Sequence, residues 1–552
     1  MPQSQPRKLF AESDAAEPSL KPAFADFLIQ EHQHRVLPRL ELLWDYYRND
    51  MTEGSEAEAA GRTYRLAQER GLPARLTRPP ALPSVNQLRR REIVIENDIA
   101  WRIHALVDFM FSRPFTLQSL AKDSKRAWLL ETFLRQVFDA AGGIAFFQDL
   151  ALLGSIYGHV DVLLRTDAVR SIDSIHRILS TNNANHPGGS ASAPRPQPRE
   201  PGATSPLPSL GANARGGAAS FDMHALESAL MRLARLFVLE VIEAPRAIPV
   251  LHPADYRKLD AYVLHYRQAL NQVDDTGLLG RLRDRVLGRS VDAKRRASVE
   301  CTEVWTADES RHYLGVQGSR RLVAQAGNAI GRVPVVHIQN LPQPFFYEGL
   351  SDVEPLVPLQ DELNTRLSDR ANRVTFQSFK MYLGKGIEDF LDRPVGPGQM
   401  WATDNLDATI EAFGGDAACP SEEAHILEIR EAMDKASAVT PVAAGVIRDR
   451  VGNLTSENAL RVTLMGMLSR TEKKRITYGR GIEQICELIL HAADALGVLP
   501  NEPHERGVRL DWPNPLPENE TDRLQSALMK LKLGVPRGQI LAELGYDECP
   551  VE

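Results

Sequence analysis

At 552 residues, with 43% hydrophobic and 25% charged side chains, the chain has the makeup of an ordinary globular protein with room for several domains, which excludes a fibrous protein. Its net charge of -7 excludes a protein that coats nucleic acid over its whole surface and leaves room only for local basic rows. No apolar run of about 18 residues suits a membrane span, the polar start at 1–13 lacks a signal core, and Cys301, Cys419, Cys486 and Cys549 lie far apart, so we expect an intracellular protein with reduced cysteines and no membrane partner.

In chain order, residues 1–22 read as a flexible tail. Apolar residues at helical spacing predict two helices over 24–49, with Pro38 at a break or a start, a further helix over 93–111, and an amphipathic stretch over 125–153. A strand entered through Gly158 follows, to Arg165. Of the 40 residues 181–220, 18 are Pro, Gly or Ser, too few apolar groups remain to offset the entropy of ordering, and a disordered insertion is expected. Beyond it come a helix over 223–237 and strands at 238–243, 247–251, 260–266, 303–306 and 333–338.

The densest pattern lies at 351–468. A helix over 358–379 carries Leu359, Leu363, Leu367 and Val374 as an apolar seam, with Arg366, Arg370, Arg373 and Lys380 as a basic row beside it. Glycines and prolines then break the helical period over 381–413, where a small β module is expected. A second helix is predicted from Ser421, as N-cap, to Thr440, before Pro441. A glycine-bearing loop with Arg448 and Arg450 leads to a long helix, 457–496, capped by Thr455 or Ser456 and expected to kink at Gly466, Gly479 or Gly481. A rigid connector at 512–517 and helices at 520–533 and 537–544 complete the chain.

No nucleotide-binding, zinc-protease or nucleophile-elbow signature has the required spacing, so no catalytic residue, metal or cofactor is expected; His32 and His34 read as surface residues. The basic row has two readings. Its arginines are a solvated face paired with Glu362 and Asp369, or a surface for a polyanion, while Arg448 and Arg450 suit phosphate contact without base reading.

The runs Gly331-Arg-Val-Pro-Val-Val-His-Ile-Gln-Asn340, Gly349-Leu-Ser-Asp-Val-Glu354, Leu359-Gln-Asp-Glu-Leu-Asn364 and Ser368-Asp-Arg-Ala-Asn372, then Ser437-Ala-Val-Thr-Pro441 and Gly452-Asn-Leu-Thr-Ser456, resemble in their order the portal proteins of tailed bacteriophages. The resemblance spans roughly 230–546. It implies an α+β, mainly helical portal fold that assembles as a ring, usually of twelve subunits, at one capsid vertex of the virion. It implies a wing at 23–350, stem helix 1 at 351–379, a clip at 380–419, stem helix 2 at 420–440, a tunnel loop at 441–456, a long wing helix at 457–497 and a crown at 498–552. Double-stranded DNA would pass non-specifically, with Arg366, Arg370, Arg373, Lys380, Arg448, Arg450 and Asn453 as the channel candidates. The partners implied are the terminase large subunit, a head-tail adaptor, and the major capsid and scaffolding proteins. The insertion at 181–220 and a short C-terminal part depart from the family pattern. The alternatives are a DNA-processing enzyme with the basic rows as its substrate groove, against which the missing signatures weigh, and a monomeric helical scaffold.

Overall fold

The computed structural model describes residues 22–49, 51–52, 65–66, 94–166, 223–269, 298–316, 319–378, 381–385, 406–413, 419–444, 461–516, 520–535 and 537–544. The tail up to residue 21, the expected insertion at 181–220, the expected caps Thr455 and Ser456, and Cys549 lie outside them.

Helices α1 (Pro22–Glu31) and α2 (Leu37–Arg48) are joined by a π-helical turn, with Pro38 in the first turn of α2, where its missing N–H costs nothing. The helix expected over 93–111 begins only at Ala100 (α3, Ala100–Phe111). Residues 94–97 have no helical structure, and their backbone is held by side chains from a later helix. After β1 (Thr116–Ser119), the stretch expected over 125–153 divides into α4 (Ser124–Ala140) and α5 (Ile144–Tyr157). Gly142 and Gly143, at φ +116 and +61, make the turn between them that other residues resist. Gly158 (φ +92) closes α5 and admits β2 (His159–Arg165).

The β-rich part expected next is present, with more strands than its pattern revealed. It comprises α6 (Met223–Ala234), β3 (Val238–Ile242), β4 (Ala247–His252), β5 (Asp255–Ala269), β6 (Ser298–Thr306), β7 (Glu309–Val316), β8 (Ser319–Gly327) and β9 (Val335–Gln339). Strands β4 to β8 form an antiparallel meander, and β2 pairs antiparallel with both β9 and β3 in a second sheet. Then follow α7 (Val357–Ser378), β10 (Met381–Lys385), β11 (Thr409–Phe413), α8 (Pro420–Ser437), α9 (Met465–Ala495), β12 (Val508–Asp511), α10 (Glu520–Lys532) and α11 (Arg537–Leu544). The architecture is α+β and mainly helical. No single described helix is long and apolar enough to cross a membrane.

A large core lies between α3, α4, α5, α9 and the sheet of β2, with Phe111, Phe133, Leu150, Tyr478, Ile482 and Ile489 all buried in it. At its centre runs α9, 31 residues or about 46 Å at ~1.5 Å per residue. Its interruption falls at Leu464, beside Gly466, while Gly479 and Gly481 lie in unbroken helix. A Cβ at Gly481 would run into the Ile338 side chain on β9, so this glycine sets how closely helix and strand approach.

Asp161 on β2 joins the two sheets. Fully buried, it accepts from Tyr262 Oη of β5 (2.6 Å), from Tyr347 Oη (3.1 Å) and from His337 Nδ1 of β9 (2.6 Å). Burial would raise its carboxyl, but His337, His159 and the Tyr262 phenol hold it below the ordinary carboxylate value. His159, two residues earlier, stands against the His337 and Tyr347 rings, and burial lowers its pKa to about 4.

Two outcomes are expected. Gly481→Val forces α9 off β9 and lowers stability by about 1–3 kcal/mol, measured by chemical unfolding at unchanged slope. His159 is neutral in the fold and protonates below pH 6.5 only on unfolding, so its contribution to stability is present above that value and is lost as pH falls towards 4. The thermal midpoint should therefore fall across that window in the parent protein, and less steeply in His159→Phe; His265, also lowered to about 4 chiefly by burial, adds slope of the same sign.

Candidate functional site: a charge-zipped helix pair

Helices α7 and α8 run antiparallel, since Arg373 meets Glu422, Arg370 meets Glu423 and Glu362 meets His425. At the far end the chain enters the β10–β11 hairpin, paired from Met381 opposite Phe413 to Lys385 opposite Thr409. Among the described residues of the expected β module, β10 and β11 form a two-stranded ribbon that follows the end of α7. Cys419, not Ser421, caps α8, because Pro420 takes the first turn; Ala438 (φ +57) ends the helix short of Thr440.

The apolar seam of α7 is shallower than its spacing suggests. Leu363 is fully buried and packs with Ile426, Ile429 and Met433 of α8 in the common core, Leu359 and Leu367 are partly covered, and Val374 is exposed. A second face, invisible as a hydrophobic pattern, is buried as well: Gln360, Asn364 and Ser368, at steps of four, are all fully buried. Gln360 Oε1 accepts from Asp98 N (3.1 Å) while its Nε2 donates to Glu96 O (2.7 Å); Asn364 Oδ1 accepts from Glu96 N (3.1 Å), and Ser368 Oγ accepts from Val94 N (3.0 Å). The helix therefore grips the main chain of 94–98 as a neighbouring strand would. Even spacing of Gln, Asn and Ser was the available signal, though single amides at that spacing are also common on wet faces.

Of the basic row, Arg366 donates to Glu362 (2.7 Å) and Asp369 (3.3 Å), Arg370 lies 3.8 Å from Glu423, and Arg373 pairs with Glu422. Two arginines so reach across to α8 and the third stays on its own helix. Lys380, Arg448, Arg450 and Asn453 lie outside the described residues.

At the root of the pair sits a buried ionic node that sequence reading missed. Asp352, 1% exposed, accepts from Lys474 Nζ (2.5 Å), from Arg470 Nη2 (2.5 Å) and from Asn340 Nδ2 (2.9 Å). Lys474, 2% exposed, also donates to Ser155 Oγ (2.8 Å), and Arg470 Nη1 donates to Ala436 O (3.0 Å) near the end of α8. Burial alone would raise the Asp352 carboxyl, but the two cations outweigh it and hold the group down to about 2. A second clamp lies beside it, where buried Arg102 of α3 bonds Asp98 (3.0 Å), Asp434 of α8 (2.5 Å) and Val439 O (2.8 Å).

The family profile described as "Phage portal protein, SPP1 Gp6-like" matches residues 232–545, more than half of the chain, including α7, α8 and the Asp352, Arg470 and Lys474 node. The chain belongs to the phage portal protein family. Two solved structures are similar to this portal-family chain in arrangement. They are "Virion of native gene transfer agent (GTA) particle", at 10% identity with 81% of this chain and 89% of that one covered and a TM-score of 0.39, and "Neck of empty GTA particle computed with C6 symmetry", at 11%, 81%, 89% and 0.38. A search of curated proteins finds no match. The assignment rests on the profile match, and the portal family is a structural one.

Asp352→Asn leaves buried Lys474 and partly covered Arg470 without their anion and should cost roughly 3–5 kcal/mol in chemical unfolding, with partial recovery when Lys474→Met is added. The depressed Asp352 carboxyl contributes its stability above the ordinary carboxylate value and loses it as pH falls towards 2, so the parent and the Asp352→Asn protein should converge in stability at acid pH.

Proposed function

We propose that copies of this chain form a closed ring at one vertex of a phage-type capsid, that double-stranded DNA passes through the ring during packaging and ejection, and that terminase and a head-tail adaptor dock on it in turn. In this reading 23–350 is the wing, 351–379 and 420–440 are the stem helices, 380–419 is the clip, 441–456 is the tunnel loop, 457–497 is the long wing helix and 498–552 is the crown. The observation that carries it is the antiparallel helix pair, rooted in the Asp352 node and bearing an antiparallel hairpin at its free end, inside the segment that matches the portal profile.

The charges suit passage better than capture. Arg366, Arg370 and Arg373 are engaged by carboxylates of their own helix pair, so they present little free positive charge to a polyanion. A wall that neutralised many phosphates would bind DNA tightly and with a steep salt dependence, whereas passage needs weak contacts that read no base. Within the reading, Arg448, Arg450 and Asn453 are the channel contacts and Lys380 lies at the start of the clip. Major capsid and scaffolding proteins would surround the wing.

Negative-stain microscopy of the purified protein should show rings with a central hole; a uniform monomer at high concentration overturns the reading. Arg448→Glu combined with Arg450→Glu should leave the rings intact and reduce packaged DNA at least tenfold in a nuclease-protection assay. Full packaging by that variant removes the loop from the channel.

A further inference from the structure

Arg102, 1% exposed, stands in the first turn of α3, ahead of the segment 232–545 that matches the family profile, yet it grips the end of α8 inside that segment. Its Nη1 reaches Asp434 Oδ1 (2.5 Å), Val439 O (2.8 Å) and Ser437 Oγ (3.3 Å). Nε and Nη2 turn back to the carbonyl and the carboxylate of Asp98 (3.0 Å each), and the Trp101 ring lies 4.5 Å from the guanidinium carbon. Residues 434–439 are where the chain leaves α8. Ala438, at φ +57, turns it out of the helix, and carbonyls at a helix end need donors from elsewhere.

Helix α3 also meets the chain on its return. Val439 on the way out of α8, and Leu464 and Met467 on the way into α9, are buried in one apolar cluster with Leu106 of α3 and Leu516, and Phe109 of α3 packs against it. A Cβ on Gly466 would stand 3.6 Å from the Ala438 Cβ, so exit and entry touch. Apolar contacts of this kind hold two segments together but let them slide. Hydrogen bonds from the planar fork of a guanidinium do not, because each needs its own direction.

We infer that Arg102 is a positioning residue: it fixes the spot at which the chain leaves α8 and returns as α9, so that both ends of the segment 445–460 are set by α3 and not by the helix pair alone. The inference deepens the ring reading and rests on it in one respect. There the segment carries the channel contacts Arg448, Arg450 and Asn453, and Arg102 then sets their place against DNA. Lysine keeps the charge but lacks the fork, so Arg102→Lys separates geometry from charge.

The test measures how firmly the two ends are held in the full chain. With Cys419→Ser and Cys549→Ser as background, Cys301 and Cys486 being buried, Ala438→Cys and Gly466→Cys place two thiols at a separation suited to a disulfide. Their effective concentration is read from the disulfide fraction in glutathione buffers of graded redox poise. Arg102→Lys should lower it at least tenfold, whereas Gly481→Val, which destabilises the same helix against β9, should change it less than twofold. Asp434→Asn, milder because Asp434 is partly exposed, should lower it at least threefold and carries the test if Arg102→Lys does not fold. An unchanged value overturns the inference, and so does an equal fall in Gly481→Val, which would make Arg102 a support of the whole fold. In assembled particles Arg102→Lys should also reduce nuclease-protected DNA at least tenfold, and closing the disulfide should restore it. Full packaging with loosened thiols overturns the link to DNA passage. A parent protein that never forms rings overturns the ring reading, and the thiol measurement still decides the clamp.

Discussion

A carboxylate with two cations, closed off from water, is the constraint on which the helix pair depends. Asp352 stands just before α7, Lys474 and Arg470 stand one turn apart on α9, and Arg470 also reaches the end of α8. Asp352 and Lys474 cannot turn to solvent, and an unpaired charge in such a place costs several kcal/mol, so the three elements hold one relative position or the node is lost. Such an arrangement adds little net stability over an apolar equivalent. What it supplies is geometry: a rigid base from which two helices and a hairpin project.

The wing sheets reach the same base by a second polar route. Asp161 ties β2, β5 and β9 to the loop that ends in residues 349–352, and Asn340 bonds both Leu350 O and Asp352. Gly158 and Gly349 meet there with their backbones so close that a Cβ on either would strike the other's carbonyl. Sheets, stem root and α9 therefore share one crowded polar junction, and a displacement of any of them must pass through it.

Much of this was legible in the order of residues. Period-3.6 seams placed α7 and α8, caps and breakers placed α9 and the C-terminal helices, glycines and prolines marked the hairpin region, and Gly158 marked the entry to β2. The reading fell short where a backbone finds its partner far along the chain. Strands β1 and β12 pair across nearly four hundred residues, and both are four residues long, too short to show alternation. Ile95 stands at helical spacing from Ile99 and Ile103, yet residues 94–97 form no helix, because Gln360, Asn364 and Ser368 satisfy backbone groups there that a helix would otherwise use.

The sequence by itself determined the helix and strand inventory of the stem region and its likeness to the portal family, because periodicity and breakers act over a few neighbouring residues. It also supplied the periodic arginines of α7 but left open whether they face a polyanion or a carboxylate. What the tertiary structure alone added is that Glu422 and Glu423 of α8 stand opposite Arg373 and Arg370 within the chain, and that Lys474 and Asp352 are sealed together in the interior. Period tells which side chains share a face; what that face meets depends on contacts between residues that are distant in the chain, and no local spacing encodes them.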